Sequence, residues 1–306
     1  MISPRQAADS VLPAASPFDP GNPGEYEAWR AHKLARYPAS TTELLVEIED
    51  GFHLSASERS QLHAALALAN TVIYRLRNPD GADKKLIHRL GQQLGLHRLD
   101  GNLCADEDSI TSLRVVEARR EGEYIPYTNR RLNWHTDGYY NSPDQQIRGV
   151  ILHCVQPADE GGENAFLDHE IAYLQLRDEN VAYVRALMAP DAMTIPANIQ
   201  NGREIRPEQT GPVFSIDPAG RLHMRYSARA RNIFWKQDST TQAAAECLLN
   251  LFQEHSVYIF RHRMHSGEGV ISNNALHCRT EFSDDPATGQ TRLLYRARYF
   301  DRVTDQ

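Results

Sequence analysis

A chain of 306 residues, 41% hydrophobic and 24% charged, is long enough for one large domain with a sizeable core and has the composition of a soluble globular enzyme. Its formal charge of −7 argues against a nucleic-acid partner, and no apolar run approaches the length of a membrane span. The opening MISPRQAADSVLPAASPFDP lacks the basic and apolar segments of a secretion signal, so the expected setting is cytoplasmic and the expected partner a small molecule.

Residues 1–43 are rich in Pro, Ala and Ser around a short candidate helix, EYEAWRAHKLARY, and read as an arm or cap outside a main domain over 44–306. LLVEIED is strand-like, SASERSQLHAALALAN opens with serines at capping positions and continues with helical apolar spacing, and TVIYRL alternates as a strand does. KKLIHRLGQQLG reads as a short amphipathic helix closed by Gly95. Strands then dominate: SLRVVEAR, IRGVILHCV, GENAFLD, PVFSID, RLHMRYS, GEGVISNNA and RLLYRARYF, interrupted by helices over HEIAYLQLRDENVAYVRALM and STTQAAAECLLNLFQEHS. Short strands with a few outer helices predict a β-sandwich or barrel with helical cover. Four scattered cysteines (Cys104, Cys154, Cys247, Cys278) with no CxxC pair suit reduced thiols.

The chemistry centres on NWHTDGYYNSP at 133–143. Residues two apart on a strand share a face, so His135 and Asp137 would point together while Trp134 and Thr136 point away. His277, in GVISNNALHC, is the best third ligand, and two histidines with one carboxylate are the donor set of non-haem Fe(II) oxygenases. HTD alone favours an ordinary strand end over a ligand pair, because so short a pattern is frequent by chance. In TRLLYRARYF the alternation puts Arg292, Arg296 and Arg298 on one face, either solvated or lining a pocket for carboxylates, which guanidinium groups bind in bidentate fashion.

Together these motifs resemble the Fe(II)/2-oxoglutarate-dependent dioxygenases of the taurine-dioxygenase-like (TauD/TfdA) superfamily. The strand-helix-strand unit of 44–76, HRLGQQLG, the HTD of 135–137, GGEN at 161–164, HCRTEF at 277–282 and RLLYR at 292–296 occur in that family's order across 44–306. GVILHCV, GGENAFLD and SARARNIF are similar to gamma-butyrobetaine hydroxylase; HTDGYY, PVFSIDPAGRLHMRY and RARYF are similar to glutarate hydroxylase. The resemblance implies a mainly β fold with α, a double-stranded β-helix (jelly roll) core with flanking helices, assembled as a homodimer or homotetramer. It implies that His135, Asp137 and His277 hold Fe(II), that Arg292 clamps the distal carboxylate of 2-oxoglutarate, and that Asn164 stands where relatives carry Thr or Ser. With O2 as the other co-substrate, 2-oxoglutarate would go to succinate and CO2 as the substrate is oxidised. Related halogenases lack the carboxylate, so Asp137 favours hydroxylation or desaturation.

For substrate, Arg296, Arg298 and Arg229, with Tyr139 and Tyr140, point to a small metabolite bearing a carboxylate or another anion. Arg225, Arg229 and Arg231 would border the site or else form exterior salt bridges. The alternative is a betaine-type substrate caged by Tyr124, Tyr127, Trp134, Tyr139 and Tyr140. Gly138 is expected to let substrate approach the metal closely. A zinc hydrolase is disfavoured by the absence of HExxH, and a non-catalytic binding protein by the intact triad and Arg292.

Overall fold

The computed structural model describes residues 16–79, 81–101, 108–115, 125–229, 233–252, 256–285, 287, 289 and 291–304. Cys104, Tyr124, Arg231, His255, the first fifteen residues and the end of SLRVVEAR lie outside them. Two sheets face each other, as the jelly-roll reading expects. In spatial order the larger sheet runs Leu45–Ile48, Thr71–Leu76, Glu268–Ser272, Gly149–Gln156, Leu293–Tyr299 and Thr111–Leu113. Only its first pair is parallel, which is why a helix, Ala56–Ala69, has to carry the chain across between those two strands. The smaller sheet is antiparallel, in the order Ile259–His262, Asn164–Leu167, Leu276–Arg279 and Leu132–His135. After Gly149 the chain crosses repeatedly between the two sheets.

Alternation along the strands sorts side chains into three layers. Val150, Leu152, Cys154, Val270, Leu294 and Phe166 pack between the sheets. Ile151, Ile271, Ala297 and Tyr299 face outward against the helices Ala56–Ala69 and Lys84–Gln93. On the other side Trp134, Ala165, Leu167, Leu276 and Cys278 form a third layer with the remaining helices. The helix signals operate as read: Ser55 and Glu58 form a reciprocal capping box, and Gly95, at φ +80°, follows the helix that ends at Gln93.

The single helix expected over 169–188 is two, His169–Glu179 and Val181–Leu187, because Asn180 adopts an extended conformation and caps the second with its side chain on the Ala182 N–H. The segment 189–211, with no element expected, contains short strands and the hairpin Asn198–Gln200/Arg203–Arg206. Its turn is Asn201-Gly202, both at positive φ, a dipeptide signal that was available in the sequence.

The helix Pro23–Arg36 lies outside the sheets, yet Tyr26 is buried in the same apolar layer as Trp134 and Leu276. Its Lys33 is buried and pairs with Asp168 at 2.6 Å and Glu170 at 2.7 Å. Asp168 in turn accepts from Asn70 Nδ2 at 2.9 Å, so a buried polar cluster fastens this helix to the turn after Ala69.

Candidate metal centre and its arginine strand

His135 ends the strand Leu132–His135, and its Cα is the register partner of His277 on Leu276–Arg279. The imidazole rings lie 4.3 Å apart between centroids. Asp137 is not on the strand: the chain leaves the sheet after His135 and turns through residues 137–140. The carboxylate nevertheless converges with the histidines, and one ligand atom from each of the three falls within 4.8 Å of the others. His135 Nδ1 donates to the Asn133 carbonyl at 2.9 Å and His277 Nδ1 to the Ala275 carbonyl at 3.0 Å. A carbonyl only accepts, so each Nδ1 carries the proton and each Nε2 keeps its lone pair for a metal. Asp137 Oδ2 is buried without a hydrogen-bond partner among the described residues. This donor set fits a divalent transition metal such as iron.

Electrostatics hold the ligands in metal-binding protonation states. Burial, with His277 adding to it, pushes His135 down to about 3, so it is neutral near pH 7. Burial alone would raise the Asp137 carboxyl, but Arg296 and Arg298 outweigh it and keep the group ionised. Arg296 Nη1 donates to Asp137 Oδ1 at 3.3 Å, and Arg298 Nη1 lies 3.9 Å from the same oxygen.

Gly138 has φ +64°, and a Cβ there would come within 2.4 Å of Ile147. The contact it permits is therefore with Ile147, a protein neighbour, where the sequence suggested a substrate. Gly161 plays the same part in GGEN: at φ +70°, its Cβ would meet the Glu281 carbonyl at 2.2 Å, so only glycine lets these two segments pair.

The arginine face of Leu293–Tyr299 points between the sheets, and all three guanidiniums are buried. Arg292 lines a cleft with Asn164, Cys154, Gly162, Met264 and Leu294. Its guanidinium lies 4.7 Å from the Phe282 ring centre, and among the described residues no carboxylate forms an ion pair with it. Burial lowers it to about 10, leaving it charged at neutral pH. Asn164 Nδ2 donates to the Gly162 carbonyl at 3.3 Å. Arg298 is committed differently, to Asp100 through Nη2 and to the Tyr140 hydroxyl through Nη1 at 2.9 Å.

At the outer part of the site, the rings of Tyr139 and Tyr140 meet edge to face at 5.1 Å. Arg229 is half-buried beside Tyr139, with no hydrogen bond or ion pair among the described residues. Arg225 is neither a pocket cation nor an exterior salt bridge: buried, it donates to the carbonyls of Met193, Gly211, Pro212, Gln209 and Tyr139. Of the aromatics suggested for a cage, Trp134 faces outward, stacked on Phe252 at 5.1 Å, Tyr127 lies in the layer between the sheets, and Tyr124 is outside the described residues. Sequence reasoning missed Asp100 and Asn274, although the Asn-Asn pair ahead of ALHC is a turn signal.

Residues 37–298 match the family described as taurine catabolism dioxygenase TauD, TfdA family. The chain belongs to that family. Among TauD/TfdA relatives, a uridine-5'-phosphate dioxygenase from Amycolatopsis sp is 28% identical over 171 residues, covering 54% of this chain and 60% of that protein. One from Streptomyces sp is 27% identical over 201 residues, covering 64% of this chain and 71% of its own. Of solved structures, asparagine oxygenase with Fe(II), 3-hydroxyasparagine and succinate aligns with a TM-score of 0.57 at 17% identity over 80% of both chains. The non-heme iron oxygenase OrfP with Fe and alpha-ketoglutaric acid gives 0.60 at 16% identity, again over 80% of both. At these identities the structures establish the shared fold of the TauD/TfdA chain. No helix among the described residues is long and apolar enough to cross a membrane.

Proposed function

We propose that this TauD/TfdA protein is an Fe(II)- and 2-oxoglutarate-dependent oxygenase that hydroxylates a small metabolite bearing a phosphate or carboxylate. The observation that carries the reading is the convergence of two imidazoles with free Nε2 lone pairs on an ionised carboxylate that has an unpaired oxygen. His135, Asp137 and His277 hold the metal. Iron there supplies oxygen activation, coupled to conversion of 2-oxoglutarate to succinate and CO2. Arg292, buried with no ion-pair partner among the described residues, binds the distal carboxylate of 2-oxoglutarate, and Asn164 adds an amide in the same cleft. Arg296 keeps Asp137 charged and presents its remaining donors to an anionic group of substrate or co-substrate. Arg229, Tyr139 and Tyr140 line the way in, and Arg298 contributes by holding Tyr140.

Uridine-5'-phosphate is the first substrate to test, because two relatives are named for it and Arg229 stands without a partner among the described residues beside Tyr139. Succinate release is to be measured across nucleoside monophosphates, dicarboxylates, amino acids and betaines. Stimulation by trimethylammonium compounds alone would overturn the anion reading. An anaerobic titration with Fe(II) and 2-oxoglutarate tests the centre itself: a weak visible charge-transfer band is expected in wild type and not in His135→Ala, and its absence from folded wild type would overturn the oxygenase reading.

A further inference from the structure

Asp137 lies beyond the end of its strand, so the sheet does not fix it. The side chain of Asn274 supplies the missing bonds: its Oδ1 accepts from the Asp137 N–H at 2.8 Å, and its Nδ2 donates to the Asp137 carbonyl at 2.9 Å. The same Nδ2 donates to the Ile147 carbonyl at 2.6 Å, closing the loop that carries Tyr139 and Tyr140. Asn274 is 2% exposed and has φ 55°, a left-handed conformation that asparagine tolerates better than most residues.

This turn also serves the third ligand. Ser272 Oγ accepts from the Ala275 N–H at 2.8 Å, and the Ala275 carbonyl receives His277 Nδ1 at 3.0 Å. The neighbouring Asn273 anchors the turn from behind: its N–H donates to the Asn70 carbonyl at 2.9 Å and its Nδ2 to Asn70 Oδ1 at 3.1 Å. Asn70 belongs to the buried cluster with Asp168 and Lys33.

We infer that Asn274 is a positioning residue for the metal centre, its amide setting Asp137 relative to His277 so that one turn fixes two of the three ligands. The inference rests on the iron reading above. Outer partners of this kind typically change metal affinity about 10–100-fold when removed.

The test is Mn(II) binding to the metal-free full-length protein, followed by the electron paramagnetic resonance signal of free Mn(II), beside circular dichroism of each variant. Asn274→Gly keeps the left-handed turn and removes the amide. It is expected to fold and to bind Mn(II) about 10–100-fold more weakly than wild type. Wild-type affinity in Asn274→Gly would reduce Asn274 to a turn-former and overturn the inference. Should Asn274→Gly fail to fold, Asn274→Asp decides: it keeps the acceptor for the Asp137 N–H but loses both donors, so weaker binding supports the inference and unchanged binding overturns it. Wild type that bound no Mn(II) would remove the iron reading together with the inference, whereas tight binding by wild type and variants alike would remove the inference alone.

Discussion

The two ends of the strand Leu293–Tyr299 present the same residue type on the same face in opposite circumstances. At about 3.3 Å per residue, Arg292 and Arg298 stand roughly 20 Å apart. Arg298 is 3% exposed and spends its donors on Asp100 and Tyr140, with Asp137 close by. Arg292 is 5% exposed, stacks against the Phe282 ring, forms no ion pair among the described residues and lines a cleft. A buried cation already paired with a carboxylate serves the scaffold, and one with no carboxylate partner is open to a ligand.

That contrast can be broken at either end. Arg298→Met strands Asp100 beside Asp137 and is expected to cost about 3–5 kcal/mol in denaturant unfolding. Arg292→Met removes a desolvated charge that forms no ion pair among the described residues, with Asp284 attracting it at longer range. Its midpoint should hold or rise, while KM for 2-oxoglutarate rises about 100-fold, the loss of roughly 2.7 kcal/mol of paired charge. If Arg292→Met proved the less stable variant and left KM unchanged, the roles would be reversed.

Acid sensitivity sharpens the comparison, because guanidiniums keep their charge between pH 5 and 8 and cannot supply it. Burial pushes His153 down to about 4 and His223 to about 3, so both are neutral in the fold near pH 7. Unfolded histidines take up protons near pH 6.5, so between that value and pH 4 the unfolded chain binds more protons and stability falls with pH. Each should remove about 1 kcal/mol between pH 6.5 and 5.5, and the two together about 2 kcal/mol, visible as a falling melting temperature that His153→Gln partly abolishes. The smallest effect belongs to Tyr140→Phe, which deprives Arg298 of one acceptor; about 1 kcal/mol of stability is expected, checked by the same denaturation.

The convergence of His135, Asp137 and His277 was legible in part: HTD is a local pattern, whereas His277 had to be brought in from a separate strand. Alternation likewise put the arginines on one face, and the structure decides that this face is the inward one. What each arginine does there was not legible, since its partner comes from elsewhere in the chain: Asp100 is 198 residues from Arg298, and Asn274 is 137 residues from Asp137. The position of Trp134 followed from alternation, whereas the aromatic cage overlooked it by counting rings near the motif. Asn180 and Asn201-Gly202 were local signals left unused, the first splitting a helix and the second making a hairpin.

Arg225 has a practical meaning for redesign. Its guanidinium gathers the carbonyls of residues 193, 209, 211 and 212 and reaches that of Tyr139, so the excursion containing the Asn198–Gln200/Arg203–Arg206 hairpin is tied at its base to the loop carrying the two tyrosines. Lysine, with one nitrogen, could not replace it. A redesign can exchange the hairpin as a cassette if it leaves this knot intact, and a graft that cuts through it will disturb the excursion and the tyrosine loop at once.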